Sequence, residues 1–186
     1  MIRIISGKYK GRRIQAPKKL PVRPTTDMAK EALFNILGNQ YHFSSVSVLD
    51  LFSGTGNISY EFASRGTPSI TAVDGHYACL QFISTTAQSF GFDIQTLKSD
   101  VFKYLERTHT TFDIVFADPP YDMSVPDFLK IIHLIFEGNS LSRDGTLIIE
   151  HRKHTVIDDS PYFIETRNYG SSAFSFYGWP ETDEEE

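Results

Sequence analysis

From residue 46 onward the chain alternates between short apolar runs and stretches whose apolar residues return every three or four positions. A short continuous apolar run suits a buried strand, and the three-to-four spacing suits one face of a helix. The pattern predicts strands at 46–52 (VSVLDLF), 69–75 (SITAVDG), 93–100 (DIQTLKSD), 112–120 (FDIVFADPP) and 145–151 (GTLIIEH). Helices are predicted at 58–66, at 77–91, through Phe102 and Leu105, and at 126–136. Two further β-like stretches, 162–170 and 172–179, follow. Strand–helix alternation with short connections implies a parallel, doubly wound, Rossmann-like α/β sheet. Right-handed crossovers then put helices on both faces.

The first 40 residues follow another pattern. Residues 1–17 suggest a hairpin with Gly7 and Gly11 near its turn. Thr26 or Asp27 can cap a helix in which Ala29, Ala32, Leu33, Ile36 and Leu37 share a face. The chain thus divides into a hairpin-and-helix extension (1–40), a Rossmann-like domain (41–180) and an acidic tail (181–186) expected to be disordered.

Ligands of such sheets bind beyond the carboxyl ends of the strands. Those ends carry Asp50, Phe52, Gly54 and Gly56 after the first strand, Asp74 and Gly75 after the second, and Asp100, Val101 and Phe102 after the third. Glycines admit close approach of the backbone, and a following helix offers free N–H groups. A carboxylate at the second strand end suits ribose hydroxyls. A nicotinamide dinucleotide is the obvious rival ligand. However, the third position of its glycine fingerprint is here Ser59, and Asp50 would repel a pyrophosphate. Asp50 instead suits the ammonium of S-adenosylmethionine, Asp74 its ribose, and Asp100 with Val101 and Phe102 its adenine.

The fourth strand ends in Asp118-Pro119-Pro120-Tyr121. Paired prolines fix the aim of what surrounds them. The Asp118 carboxylate and the Pro119 carbonyl can accept both protons of an exocyclic amine. This frees the nitrogen lone pair and stabilises the charge that develops on it. Tyr121 can stack on a base, a contact worth about 1–3 kcal/mol. The motif leaves adenine, cytosine, guanine and a protein glutamine amide open. A nicotinamide-dependent oxidoreductase and a non-catalytic RNA-binding assembly factor are the rival classes.

Charge sharpens the reading. The net charge of −5 hides an asymmetry: residues 1–30 carry nine of the 18 Lys and Arg and one acid. The remainder has nine basic against 22 acidic residues, a net of −13. Arg3, Lys8, Lys10, Arg12, Arg13, Lys18, Lys19 and Arg23 therefore form a basic arm suited to RNA phosphates. With Arg23, Thr25 and Thr26 could instead cover the cofactor mouth. The six histidines lack metal-ligand spacing and the one cysteine, Cys79, is assigned to the core, so no metal is expected. No signal peptide or membrane span is evident, which points to the cytoplasm.

Taken together, IISGKYKGRRIQAP, RPTTDMAKEALFNIL, VLDLFSGTGNIS, FADPPY and YGSSAFSFY resemble the RsmD family of 16S rRNA guanine-N2 methyltransferases, from Ile2 to about Tyr177. The resemblance implies a class I S-adenosylmethionine-dependent methyltransferase sheet, with transfer to a guanine N2 in small-subunit rRNA. It also implies an assembled or nearly assembled subunit as substrate; the enzyme is expected to be a monomer. Asp74 stands where the family more often has glutamate, and Asn57 and Ile58 also depart from its pattern.

Overall fold

The computed structural model describes residues 1–20, 22 and 25–182; Arg23 and the last four residues of the acidic tail lie outside the described residues. Strands β1 (Ile2–Arg3) and β2 (Arg13–Ile14) pair antiparallel, Ile2 opposite Ile14. Helix α1 (Asp27–Gln40) follows, capped by the Thr26 side chain, which accepts from the Ala29 N–H. Then come β3 (Ser47–Leu51), α2 (Asn57–Ser64), β4 (Ser69–Asp74), α3 (Tyr77–Phe90), β5 (Ile94–Lys98), α4 (Val101–Arg107) and β6 (Phe112–Ala117). Helix α5 (Val125–Glu137) and strands β7 (Leu141–Arg152), β8 (Phe163–Tyr169) and β9 (Ser172–Tyr177) complete the described elements.

The seven-stranded sheet has the order β5-β4-β3-β6-β7-β9-β8. Strands β3 to β7 are parallel, whereas β9 runs antiparallel to β7 and β8 antiparallel to β9. The winding reverses between β3 and β6, which opens a crevice there. Alternate residues face opposite layers. Val48, Ile70, Ile114, Phe116 and Ile148 pack with Leu33, Phe34 and Leu37 of α1 and Ile58 and Phe62 of α2. Ala72 meets Leu80 and Ile83 of α3, with Ile2, Ile4 and Ile14 of the hairpin beside them. On the other face, Leu49, Leu51, Val73, Val115 and Ala117 pack on α4 and α5. Burial on both sides explains why these strands read as unbroken apolar runs.

Two elements differ from expectation. Strand β7 starts at Leu141, paired with Phe112, instead of at 145. Polar Ser142, Arg143 and Asp144 hide its first half, although the Ser142 hydroxyl is held by Asp113 (3.1 Å). Helix α1 buries Lys30 and Phe34, while Ala32 and Ile36 remain half-exposed. The reason is a buried ion pair. Lys30 Nζ donates to the Arg3 carbonyl (2.6 Å) and to Asn57 Oδ1 (2.8 Å), and lies 3.5 Å from Glu61. Both charged side chains are fully buried. Burial lowers the pKa of the Lys30 ammonium, against the pull of Glu61.

Glu61 also accepts the N–H groups of Ile5 and Ser6 and pairs with Arg65 (2.9 Å). The hairpin therefore lies along α2. At its tip Gly7, at φ 88°, passes so close to α2 that a Cβ would sit 2.0 Å from the Ser64 carbonyl. No other residue type fits there. Lys8 and Tyr9 donate their N–H groups to Ser64, and the Tyr9 hydroxyl donates to Phe90.

Candidate active site

The loop from β3 to α2 turns sharply. Phe52 has φ 55° and Gly56 has φ 88°. A bulky residue in the left-handed region is strained, a cost that a functional loop can carry. A Cβ on Gly56 would meet Tyr60 Cζ at 2.7 Å and Ile83 Cγ1 at 2.9 Å, so the start of α2 needs glycine. This loop and the ends of β4, β5 and β6 enclose a cleft of about 410 Å³.

Asp50 lies in its floor, 2% exposed, and accepts a 2.6 Å hydrogen bond from the Ser59 hydroxyl. The serine at the third fingerprint position therefore orients the carboxylate. Burial pushes the Asp50 pKa up to about 7, opposed by the Ser59 bond and reinforced by the nearby Asp74 charge. Asp74 takes the Gly54 N–H on Oδ2 (2.9 Å) and the His76 N–H on Oδ1 (2.8 Å), tying β4 to the glycine loop. Each carboxylate oxygen can accept twice, so Oδ2 keeps a position for a ligand hydroxyl. Asp100 caps α4 by accepting from the Lys103 N–H (3.0 Å) and also lines the cleft. The Ser53 hydroxyl, buried on the same wall, has no partner among the described residues.

Asp118, Pro119, Pro120 and Tyr121 line the same cleft as the glycine loop. The Asp118 N–H reaches back to the Leu51 carbonyl (3.3 Å), continuing the β3–β6 pairing past the strand end. Of the two proline carbonyls, that of Pro120 accepts from Met123 (3.0 Å). Among the described residues no donor takes that of Pro119. The Tyr121 hydroxyl lies 3.1 Å from Ser172 Oγ.

Asp50, Phe52, Gly54, Asp74, Gly75, Asp100 and Val101 all reach the cleft wall. Gly56 and Phe102 do not. Gly56 acts one layer behind, by shaping the loop. Phe102 is turned by the pitch of α4 toward the α4/α5 layer, where Lys130 lies over its ring (5.0 Å). Arg3, Lys8, Lys10, Arg12, Arg13, Lys18 and Lys19 are exposed; Arg23 lies outside the described residues. They are not equally near the cleft. The hairpin tip contacts Ser64, seven residues along α2 from Asn57 on the cleft wall, or about 10 Å at 1.5 Å per residue.

Several wall residues carried little or no sequence signal. Thr25, which the sequence offers as a cover for the mouth, lines the cleft with its hydroxyl donating to buried Glu150 (2.5 Å). Asn57 bridges the Thr25 carbonyl (3.2 Å) and Lys30. Val22, Ser53, His76 and Cys79 complete that side. Of these the sequence flags only Thr25 for the cleft. Among the described residues no three His, Cys, Asp or Glu side chains group as metal ligands, and no helix is long and apolar enough to cross a membrane.

Residues 2–178 match the family described as conserved hypothetical protein 95. YlbH of Bacillus subtilis, named as a proposed rRNA methyltransferase, is 30% identical over 184 residues, 95% of this chain and 98% of that protein. The Escherichia coli protein named ribosomal RNA small subunit methyltransferase D is 29% identical over 150 residues, 80% of this chain and 74% of that protein. The solved structure of Escherichia coli yhhF, named as a proposed methyltransferase, superposes with a TM-score of 0.82 at 26% identity, covering 95% of this chain and 96% of that one. The α/β fold with its parallel-rich sheet is that of S-adenosylmethionine-dependent methyltransferases. The chain belongs to the conserved hypothetical protein 95 family, the RsmD family of methyltransferases.

Proposed function

We propose that this protein transfers a methyl group from S-adenosylmethionine to the exocyclic N2 of a guanine in 16S rRNA of an assembled or nearly assembled small subunit. The observation that carries this reading is that the Asp118–Tyr121 corner and the glycine loop share one cleft. The small-subunit relative supports rRNA as the acceptor. The donor set fits the cofactor: acceptors along the wall (Asp50, Asp74, Asp100) match an ammonium, ribose hydroxyls and an adenine amine, and Ser53 Oγ awaits a polar partner. S-adenosylmethionine supplies a methyl group on a cationic sulfur that makes it electrophilic.

The residues of this chain do the rest. Asp50 would hold the ammonium and Asp74 the ribose. Val101 would lie against the adenine ring while Asp100 would take its amine. Asp118 and the Pro119 carbonyl accept the two N–H protons of the guanine amine, so its lone pair leaves the ring system and points at the methyl group. The Asp118 charge stabilises the positive charge that develops on nitrogen. Once methylated, the cationic amine is acidic and hands its extra proton through the Asp118 carboxylate to water, so no strong base is required. Tyr121 stacks on the flipped guanine, which must leave its helix to reach the corner. The arm's charges (Arg3, Lys8, Lys10, Arg12, Arg13, Lys18, Lys19 and Arg23) guide the RNA. The protein works as a monomer in the cytoplasm, where it meets the subunit.

Mass spectrometry of 16S rRNA from a deletion strain tests the proposal. One guanine loses a methyl group, and purified protein restores it on isolated subunits. Unchanged 16S rRNA overturns it, and a mark lost from an adenine or from a protein glutamine transfers the same corner chemistry to another amine.

A further inference from the structure

The end of β7 carries chemistry outside the motifs. Strand β7 runs parallel to β6 with Ile149 opposite Ala117, so it emerges beside the Asp118 corner. Its last residue, Arg152, is exposed, and Lys153 and His154 follow, exposed as well. The Arg152 guanidinium lies over the Tyr121 ring, 5.3 Å from its centroid. Ser172, which bonds the Tyr121 hydroxyl, is the residue opposite Arg152 on β9. Buried His151 pins the strand end through Ser175 (2.7 Å).

We propose that Arg152 and Lys153 form a second RNA contact. Arg152 braces Tyr121 and holds the phosphate of the target nucleotide, and Lys153 holds its neighbour. Three observations carry this. First, a guanidinium stacked on a ring keeps its edge N–H groups for an anion, and among the described residues no acceptor takes those of Arg152. Second, the hairpin tip meets α2 at Ser64, about 10 Å along the helix from the cleft wall, so its cations meet RNA away from the corner. Third, the body beyond residue 30 is strongly acidic, and these two cations relieve that repulsion where the base must enter. The contact rests on the rRNA reading of the cleft.

The test measures methyl transfer to small subunits lacking the mark, at several salt concentrations, with S-adenosylhomocysteine affinity measured alongside. Arg152→Gln and Lys153→Gln each raise KM about tenfold and lower the salt slope by about one, leaving cofactor affinity unchanged. Arg152→Lys keeps the slope but lowers kcat, because an ammonium braces the ring less well than a planar guanidinium. Arg107→Gln, at the far end of α4, behaves as wild type. Wild-type KM and slope in both glutamine variants overturn the contact alone. A wild-type protein inert on rRNA overturns the functional reading and this contact with it.

Discussion

The two sides of the cleft are built by opposite means. On the cofactor side, buried carboxylates are fixed by short bonds to Ser59, Gly54 and His76, on a loop whose backbone tolerates few side chains. On the substrate side, a proline corner is flanked by exposed, long cationic side chains. The difference matches the ligands proposed for the two sides. A small cofactor of constant shape rewards preformed geometry. A large polyanion is gathered by mobile charges, and only its reacting base needs a rigid seat.

Removing the rigid seat should have the largest effect. Asp118→Ala lowers methyl transfer about 10³-fold, the scale seen when one transition-state partner is lost. Calorimetry should show S-adenosylhomocysteine affinity within about threefold of wild type, because Asp118 belongs to the other side. Coupled loss of both would dissolve the distinction between the sides.

Lys30→Met should destabilise the fold by about 1–3 kcal/mol in denaturant titrations, since it leaves the Arg3 carbonyl and Asn57 Oδ1 without their buried donor. The loss stays moderate because Glu61 keeps Arg65 and the N–H groups of Ile5 and Ser6. Cofactor affinity falls too, because Lys30 holds Asn57 on the wall.

A smaller, graded effect comes from Asp50. Burial holds its pKa near 7, well above the usual carboxylate value of about 4. The folded protein thus keeps a proton that the unfolded chain releases, and its stability falls as pH rises from about 4 to about 7. The ammonium of the proposed ligand needs the carboxylate charged. Affinity for S-adenosylhomocysteine therefore rises up to about tenfold per pH unit below 7 and levels off above. Calorimetry in buffers of differing ionisation enthalpy should detect about one proton released at pH 6 and none with Asp50→Asn. The smallest effect is expected at Phe102: Phe102→Ala changes cofactor affinity by less than about twofold while lowering stability by roughly 1–2 kcal/mol, because this ring packs between α4 and α5.

Much of this was legible in the chain. Local rules placed the strands and helices, since periodicity, glycine stops and the Thr26 cap act over a few residues. The strand-end positions of Asp50, Asp74, Asp100 and Asp118 followed from the alternation alone. Tertiary structure decided what depends on rotation and on partners distant in sequence. Lys30 looks like any cation of the arm until Glu61, 31 residues later, meets it in the interior. Phe102 left the cleft because one step around α4 turns it away, a rotation no motif encodes. Arg152 came to lie over the Tyr121 ring only when β7 was laid beside β6, and Thr25 is held at the cleft wall by Glu150, 125 residues later. The physical reason is the range of the forces involved: backbone preference is set by neighbours in sequence, whereas burial, ion pairing and ring contact are set by neighbours in space.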